Sequence, residues 1–339
     1  MPDETQQHNK QIIGKFRAAL YDCEPGALNQ QFSEVFAPDC EIHLAFPFED
    51  LDGPGALLEQ AYQPLLAAIP DLERRDFILM SGESSGENWV GCAGHYIGVF
   101  ERHWLDIPPT QHAIAMRYHE FFRLEGGKAV EMQALWDIPQ VMLQAGAWPM
   151  TPSLGVEWVT PGPARQDGIL SAQYENTKAD ASLKLVLDML TAMGKHPLSG
   201  GVEIMQLDHY WHPKMLWYGP AGIGAARRIS GFRNWHQIPF LKAMPDRAAV
   251  LGEGALFADG DYVGFTAWPG MRMTISGDGW LGIAPVNQRI TMRSLDFWRC
   301  EDGLIRENWV LVDLLHVYNQ IGVDVFARMR EKTYACQPR

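Results

Sequence analysis

The chain contains 339 residues, of which 47% are hydrophobic and 20% charged, a composition typical of globular proteins and unlike that of disordered chains. Its formal net charge of -13 argues against nucleic acid and against an anionic membrane as the main partner, because both attract a basic surface. A chain of this length is expected to form about two or three domains.

The cysteines are scattered and show no CxxC spacing, which argues against a disulfide framework and a cysteine-rich zinc site; they are Cys23, Cys40, Cys92, Cys300 and Cys336. The polar, acidic start "MPDETQQHNK" does not resemble a signal peptide. No apolar run approaches the roughly 18 residues of a membrane span. The sequence therefore predicts a cytoplasmic protein.

Helices come first in the predicted order of elements. Apolar residues recur at helical spacing over Lys10–Asp22 and Gly55–Ile69, and Pro64 is expected to kink the latter helix. After Pro70 a period of two residues predicts four strands, over 77–82, 88–100, 112–124 and 129–136. Gly126-Gly127 marks a hairpin turn between the last two strands. This order predicts an α+β domain with a curved antiparallel sheet over helices.

The second half of the chain repeats the first. Residues Ile107–Gly146 align without a gap with Ile283–Gly322, 176 positions later, and 15 of the 40 pairs are identical. The helix predicted over Ser182–Gly194 corresponds to the first helix. We interpret the chain as a tandem duplication, with domains at 1–148 and 169–335 and a linker rich in Pro and Gly at 149–168.

Side chains alternate along a strand, so the predicted hairpin places its odd-numbered residues on one face: Arg117, His119, Phe121, Arg123, Glu131, Gln133, Leu135 and Asp137. The turn is expected to pair Phe121 with Glu131. The two copies agree on this face, and its mixture of charged and apolar side chains predicts the wall of a ligand cavity. The even-numbered face, with Phe122 and Trp136, is expected to pack copy against copy as a pseudo-dimer.

Asp137 and its equivalent Asp313 stand in apolar surroundings at the end of the last strand. Each aspartate could cap the short helix that follows, or it could face the cavity as a carboxylate whose pKa is raised by desolvation. For Asp313 we expect a role in function more than in folding. Arg117–Glu131 and Arg293–Glu307 could be ion pairs that fix the strand pairing.

Further candidates surround these aspartates. The first copy offers His43, His95 and His119 as proton donors, and His119 shares a face with Asp137. Arg117 and Arg293 are candidates for binding a substrate. The second copy offers aromatic and histidine side chains that suit a flat ligand, namely Trp217, Tyr218, Trp235, His236, Trp268 and Trp309. His209 and His212 lack a clear third ligand, so no metal site is predicted.

The pattern Glu307-x-Trp309-x3-Asp313, followed by Gln320-Ile321-Gly322, resembles the end of SnoaL-like polyketide cyclase domains. The segment "DIPPT" at 106–110 and the Pro-Asp pairs after the third helix, Pro70-Asp71 and Pro245-Asp246, are also similar to that family. The resemblance covers both halves. It implies two tandem cone-shaped α+β barrels of the nuclear-transport-factor-2-like (NTF2-like) type, each with a pocket between its sheet and three helices.

The resemblance also implies acid/base chemistry by an aspartate, without metal or cofactor, and by position the candidates are Asp313 and Asp137. Gln133 stands where the second copy has Trp309, which puts a common substrate in doubt. We predict a cofactor-independent cyclase or isomerase of a hydrophobic, polyketide-like carbonyl compound. A non-catalytic small-molecule binding protein and an epoxide-type hydrolase remain alternatives, because the fold does not fix the function. The expected partner is a hydrophobic small-molecule ligand. The two halves are expected to form an intramolecular pseudo-dimer, and whether the chain also forms a homodimer is left open.

Overall fold

A computed structural model of the protein describes residues 2–21, 25–170, 176–196, 201–250, 252 and 254–335. Cys23 and Cys336 lie outside these ranges. The chain divides into two compact units. Unit 1 comprises Met1–Pro149, Ala164–Gln173 and Gly322–Arg339, and unit 2 comprises Met150–Pro163 and Tyr174–Ile321. The stretch predicted as a linker is thus divided between the units.

Unit 1 begins with helices and continues as a six-stranded sheet. Its elements in chain order are α1 (Pro2–Ala19), α2 (Pro25–Val35), β1 (Phe36–Leu44), β2 (Glu49–Asp52), α3 (Gly53–Ala56), a π-helix (Leu57–Tyr62), α4 (Gln63–Ala68), β3 (Glu73–Ser84), β4 (Glu87–Val99), β5 (Ala113–Glu125), β6 (Lys128–Trp136) and α5 (Ile138–Gln144). The strand order is β2-β1-β6-β5-β4-β3, with β1 parallel to β6 and the other neighbours antiparallel.

Unit 2 repeats this arrangement. Its elements are α6 (Asn176–Met193), two 3-10 turns (Val202–Met205 and Leu207–His209), β7 (Trp211–Tyr218), β8 (Ala225–Arg227), α7 (Arg228–Phe232), a π-helix (Arg233–Gln237), α8 (Ile238–Ala243), β9 (Ala248–Ala249), β10 (Ala255–Asp259), β11 (Tyr262–Thr274), β12 (Arg289–Glu301), β13 (Leu304–Val312) and α9 (Leu314–Gln320). The strand order is β10-β11-β12-β13-β7-β8, and β9 also pairs with β11. Two short strands, β9 and β10, therefore take the place of β3.

The last helix, α10 (Val325–Ala335), belongs to unit 1. Arg330 forms an ion pair with Asp106 at 3.0 Å, and Lys332 Nζ donates to the carbonyl oxygen of Trp148 at 2.7 Å. Both units are confirmed as α+β domains with helices beside a mixed sheet. In the described residues each sheet is open and has two edge strands, as in the cone-like domains that the resemblance implies, and neither sheet closes into a complete barrel. None of the helices described here combines the length and apolar character needed to span a membrane.

A π-helical turn, Leu57–Tyr62, ends two residues before Pro64, where the sequence predicts a kink. Proline has no N–H to donate, so the regular ladder of the helix is interrupted at this point, and a π-turn is one way to adjust it. The same turn precedes Pro239 in unit 2. Both halves therefore keep this local distortion in the helix that crosses the sheet.

The predicted hairpin register is wrong by two residues. Phe121 lies opposite Gln133, and Arg123 lies opposite Glu131, because a tight turn at Gly126-Gly127 is followed by a bulge after Ala129. A shift of two residues leaves every side chain on its predicted face. It changes the ion pairs, however. Glu131 pairs with Arg123 at 2.9 Å instead of with Arg117.

The faces of the sheet have the opposite roles to those predicted. On the even-numbered face, the ring of Phe122 lies 5.6 Å from that of Phe16 in α1, and Trp136 lies 5.2 Å from Tyr62 in the π-helix. This face is therefore the inner face, covered by the helices of its own unit. In unit 2, Trp217 of β7 likewise contacts His236 of the π-helix. A pocket between sheet and helices must be sought on this face.

Candidate functional site

Asp313 and Asp137 lie where the last strand passes into a short helix. Asp313 caps α9, since its carboxylate accepts from the backbone N–H of His316 at 3.0 Å, and it also accepts from Arg293 Nη1 at 3.1 Å. Asp137 precedes α5 and lies 3.6 Å from Arg117. Both carboxylates are buried. A charged partner and, for Asp313, a cap account for their place in apolar surroundings; their catalytic role remains a prediction.

On the odd-numbered face of unit 2, the aromatic candidates Tyr218 and Trp309 contact each other, and Tyr218 also bonds to Glu307. Tyr218 stacks on Trp309 at 5.2 Å and donates from its hydroxyl to Glu307 at 3.2 Å. Arg299 reaches the same carboxylate at 2.6 Å, in place of the predicted Arg293. The guanidinium of Arg293 lies 4.4 Å from the ring of Trp268. The group around Glu307 and the pair of Arg293 and Trp268 share the face opposite the helices, but no contact among the described residues joins the two.

The histidine candidates of unit 1 are not gathered at one place. His95 lies opposite Arg117 in the sheet, and burial, followed by the charge of that arginine, lowers the pKa of His95 to about 3. His119 is fully buried opposite Leu135. His43 belongs to the edge hairpin, where its Nδ1 lies 2.7 Å from Asp50. His95 is therefore neutral near pH 7, and His43 stands apart from the other two.

The inner face of unit 1 contains a buried carboxylate that the sequence analysis did not select. Glu120 accepts from Arg74 at 2.6 Å, from the Tyr96 hydroxyl at 3.0 Å and from Trp136 Nε1 at 3.2 Å. The Tyr62 hydroxyl is a fourth donor at 3.5 Å. All these side chains are buried. The space around Glu120 in unit 1 is therefore filled by side chains whose polar groups are hydrogen-bonded. Buried polar groups that stabilise a fold are usually bonded in this way.

A second carboxylate extends this network. Asp76 pairs with Arg74 at 3.0 Å and with Arg17 of α1 at 2.9 Å. Burial opposes ionisation of Asp76, but the charges of Arg74 and Arg17 outweigh burial and hold the pKa of this carboxyl below its ordinary value. The guanidinium of Arg74 also lies 4.2 Å from the ring of Tyr118. The network therefore ties β3, β4 and β5 to the first helix.

In unit 2 the carboxylate is kept and its donors are lost. Asp296 occupies the position of Glu120, 176 residues later. The four donors are replaced by side chains that are smaller or lack a proton to donate: Ala249 for Arg74, Gln237 for Tyr62, Met271 for Tyr96 and Val312 for Trp136. Among the described residues, only the Ser294 hydroxyl donates to the Asp296 carboxyl, at 3.2 Å. This carboxyl is the least satisfied of the inner-face acids.

Asp296 also borders a space. It lies near the centre of the sheet on the helix-covered face, yet its side chain is partly accessible, whereas Glu120 is wholly buried. Its neighbours Phe265 and Val312 are partly accessible too. The described helices of unit 2 therefore leave a recess above these residues that admits at least a water molecule. Burial raises the pKa of the Asp296 carboxyl to about 8, and the Ser294 hydroxyl offsets this only in part.

One predicted residue faces the same side. The ring of His236, in the π-helix, stacks on Trp217 at 4.2 Å with an interplanar angle of 16°. Burial, followed by the charge of Arg247, lowers the pKa of His236 to about 3. The adjacent Trp235 is half exposed, and no ring contact joins it to this group in the described part of the chain. A neutral imidazole and a carboxyl with a pKa near 8 thus line one inner face.

The arrangement suits proton transfer to and from an organic ligand, since a carboxyl that titrates near neutral pH can both accept and donate a proton. Across the described ranges no three His, Cys, Asp or Glu side chains come together as a metal site. Sequence reasoning missed Asp296 because it followed identity between the copies. The signal was a conservative exchange, Glu120 to Asp296, on the even-numbered face.

Comparisons with known proteins agree with the duplication. The family model described as SnoaL-like polyketide cyclase matches residues 15–145 and again residues 201–321. A search of curated proteins finds no match.

Solved structures that are similar include three single-domain-sized chains. IdmH from Streptomyces antibioticus is 19% identical, with 41% of this chain and 98% of IdmH covered and a TM-score of 0.35. TsrD from Streptomyces laurentii is 24% identical, with 43% and 97% covered and a TM-score of 0.34. An NTF2-like protein from Burkholderia thailandensis is 20% identical, with 41% and 96% covered and a TM-score of 0.32.

Proposed function

Because the chain belongs to the SnoaL-like polyketide cyclase family through both of its halves, we propose that it is a cofactor-independent acid/base cyclase or isomerase of a hydrophobic, polyketide-like carbonyl compound. The reaction takes place in unit 2, and Asp296 transfers the proton. The observation that supports this most is Asp296, a partly accessible residue whose carboxyl has one hydrogen bond among the described residues and a pKa raised to about 8 by burial.

The carboxylate form of Asp296 removes a proton from the carbon next to a substrate carbonyl. The C–H electron pair becomes a C=C bond, and the carbonyl π electrons move to oxygen to give an enolate. In a cyclase the enolate carbon attacks a second carbonyl of the same molecule, and the new alkoxide takes the proton back from Asp296. In an isomerase the proton returns to a different carbon. A group whose pKa lies near the working pH serves well in both directions.

The surroundings favour this role for Asp296 over the other acids. Glu120 accepts from Arg74 and from three further donors, so its lone pairs are occupied. Asp313 pairs with Arg293 and caps a helix. Among the described residues Asp296 has a single donor, so its carboxylate keeps lone pairs free to take a proton, and burial raises its pKa.

A second candidate is a non-catalytic protein that binds a small molecule in unit 2. The network around Glu120 favours it, because the equivalent acid in unit 1 is buried and fully bonded, so this family fold is stable here without a free acid at that position. The epoxide-type hydrolase has less support, since Arg293 and Asp313 are bonded to each other on the outer face.

The test is exchange of the α-protons of 2-tetralone, a flat bicyclic ketone, in deuterated buffer by NMR. We expect the wild type to accelerate exchange, Asp296→Asn to lose at least 100-fold of this rate, which is the usual scale for a general base, and Asp313→Asn to retain it within about threefold. Asparagine keeps the shape of either aspartate, so the pair is matched. Loss of exchange in Asp313→Asn with retention in Asp296→Asn would transfer the role to Asp313.

A further inference from the structure

Ser294 and Asp296 form a hydrogen-bonded pair on one strand of unit 2. They stand two residues apart on β12, so their side chains lie on the same face of the sheet. The Ser294 hydroxyl donates to Asp296 Oδ1 at 3.2 Å. Ser294 is buried, and Ala267 in β11 and Val312 in β13 lie opposite it without a polar side chain to offer. Among the described side chains, the carboxyl of Asp296 is therefore the one partner of this hydroxyl.

The two oxygens of the Asp296 carboxyl differ in their surroundings. Oδ1 accepts from Ser294, whereas Oδ2 accepts no hydrogen bond from the described residues. Oδ2 is also not one of the buried polar atoms left without a partner in the described part of the chain, and Asp296 itself is partly accessible. A polar oxygen that has no partner and is not sealed by the protein is open to solvent. The pair therefore keeps Oδ1 occupied and leaves Oδ2 to a ligand.

Unit 1 shows which side chain Ser294 replaces. Its equivalent is Tyr118, 176 positions earlier. The Tyr118 ring lies 4.7 Å from that of Tyr96, and the Tyr118 hydroxyl makes no hydrogen bond to a described residue. A Cβ on Gly94 would collide with that hydroxyl, whereas unit 2 has Ala267 at the same place in the sheet. The exchange of tyrosine for serine therefore removes a ring from the inner face and supplies a donor to the carboxyl.

The pKa of Asp296 depends on this hydrogen bond. Burial raises the pKa to about 8, and the Ser294 hydroxyl, the only other cause among the described groups, opposes the rise because it stabilises the charged form. Phe265 in β11 and Val310 in β13 lie opposite Asp296 and cannot ionise. No described ionisable side chain of the helix-covered side contributes to this pKa. These side chains include His236, Arg247 and Cys300.

We propose that Ser294 is a positioning residue, which holds the Asp296 carboxyl through Oδ1 and leaves Oδ2 to exchange a proton with the substrate. This inference deepens the proposed function, and its catalytic part rests on that proposal. When Oδ2 takes the α-proton, Oδ1 becomes the carbonyl oxygen of the acid and still accepts from Ser294. The carboxyl therefore need not rotate, and Oδ2 returns the proton to the substrate. The serine keeps its own proton throughout.

Loss of the Ser294 hydroxyl disfavours the carboxylate. A hydrogen bond to an ion is stronger than one to a neutral group, so this bond is strongest when Asp296 is ionised. Its removal in Ser294→Ala should raise the pH at which Asp296 is half ionised by about one pH unit or more. The carboxylate fraction at pH 7 then falls roughly tenfold, and with it the fraction of protein that can accept a proton. A serine that only filled space would leave this pH unchanged.

The test follows the Asp296 carboxyl directly, by 13C NMR titration of the full chain labelled at its aspartate carboxyl carbons. The signal of Asp296 is identified by its loss in Asp296→Asn. We expect a midpoint near pH 8 in the wild type and a midpoint at least about one pH unit higher in Ser294→Ala. Ser294→Thr, which keeps the hydroxyl, and Ser276→Ala, at an exposed serine, should both titrate as the wild type does. Equal midpoints in the wild type and Ser294→Ala would overturn the inference.

Proton exchange of 2-tetralone, corrected for the uncatalysed rate, gives the catalytic readout. The pH of half-maximal rate should rise in Ser294→Ala together with the NMR midpoint and return to the wild-type value in Ser294→Thr. An unchanged pH of half-maximal rate in Ser294→Ala would also overturn the inference. The proposed function fails separately. If the NMR midpoint moves in Ser294→Ala but the wild type does not exchange the protons of 2-tetralone, Ser294 does hold the carboxyl, and the catalytic proposal is wrong.

Discussion

The replacement of Asp296 by asparagine should stabilise unit 2 in alkaline solution while it removes activity. Burial raises the pKa of Asp296 from the usual 3.8 to about 8. In the unfolded chain this carboxyl ionises above about pH 4, whereas in the folded chain it stays protonated up to about pH 8. Between these values unfolding releases a proton, so raising the pH favours the unfolded state.

The magnitude follows from the two pKa values. Each tenfold change in proton affinity is worth about 1.4 kcal/mol, so the full difference corresponds to at most ~6 kcal/mol. Asp296 is partly accessible, and water in the recess solvates its anion, so we expect a smaller penalty of about 2–4 kcal/mol above pH 8. Asparagine cannot ionise and avoids this penalty. A stabilising change that costs activity is typical of functional sites.

Urea unfolding of the wild type and of Asp296→Asn between pH 5 and pH 9.5 measures the effect. The difference in the free energy of unfolding should grow in favour of the variant up to about pH 8 and then become constant. Parallel curves across this range, with no growing difference, would show that the Asp296 carboxylate is well solvated and would refute the reasoning about its burial.

Three further predictions concern the rest of the fold. Asp313→Asn keeps the helix cap but leaves Arg293 buried without its anion, so it should lower the free energy of unfolding by about 1–3 kcal/mol in urea titrations. A loss below about 0.5 kcal/mol would mean that the ion pair contributes little to stability. Arg74→Met strands Glu120 and Asp76, and we expect a loss of about 3–5 kcal/mol by the same method, whereas an unchanged midpoint would contradict the network in unit 1. Gly94→Ala places a Cβ against the Arg75 carbonyl oxygen, so we expect it to lower the free energy of unfolding by about 3 kcal/mol or more. Gly14→Ala, in open space within α1, should change it little or raise it, and similar melting temperatures for the two variants would contradict this prediction.

Periodicity and internal repetition were sufficient for the architecture. The 15 identities over 40 residues reveal the duplication, and the period-two stretch that ends at Trp136 predicts the sheet. The same patterns could not predict which face of the sheet is covered by the helices. Alternation sorts side chains into two faces but does not say which face the helices cover, and here both faces are largely buried.

The site was harder to predict for a related reason. Identity between the copies selected Asp137 and Asp313, which share an arginine partner, and Asp313 also caps a helix. Asp296 is distinctive because unit 2 lacks the four donors that surround its counterpart Glu120 in unit 1. The absence is hard to see in the sequence, since these donors, Arg74 and Tyr96 among them, are far from Glu120 along the chain. Only the strand register brings these positions together. A functional group in a duplicated protein can thus stand where the copies differ, since one copy needs only stability.

The pH dependence of 2-tetralone exchange tests the central claim most directly. If Asp296 removes the proton from within the recess, the rate for the wild type rises with pH and reaches half of its maximum near pH 8, the value to which burial raises this carboxyl. The Asp296→Asn variant then shows no such rise, while Asp313→Asn follows the wild type. A wild-type rate that is already maximal at pH 6, or a rise that persists in Asp296→Asn, would contradict the account.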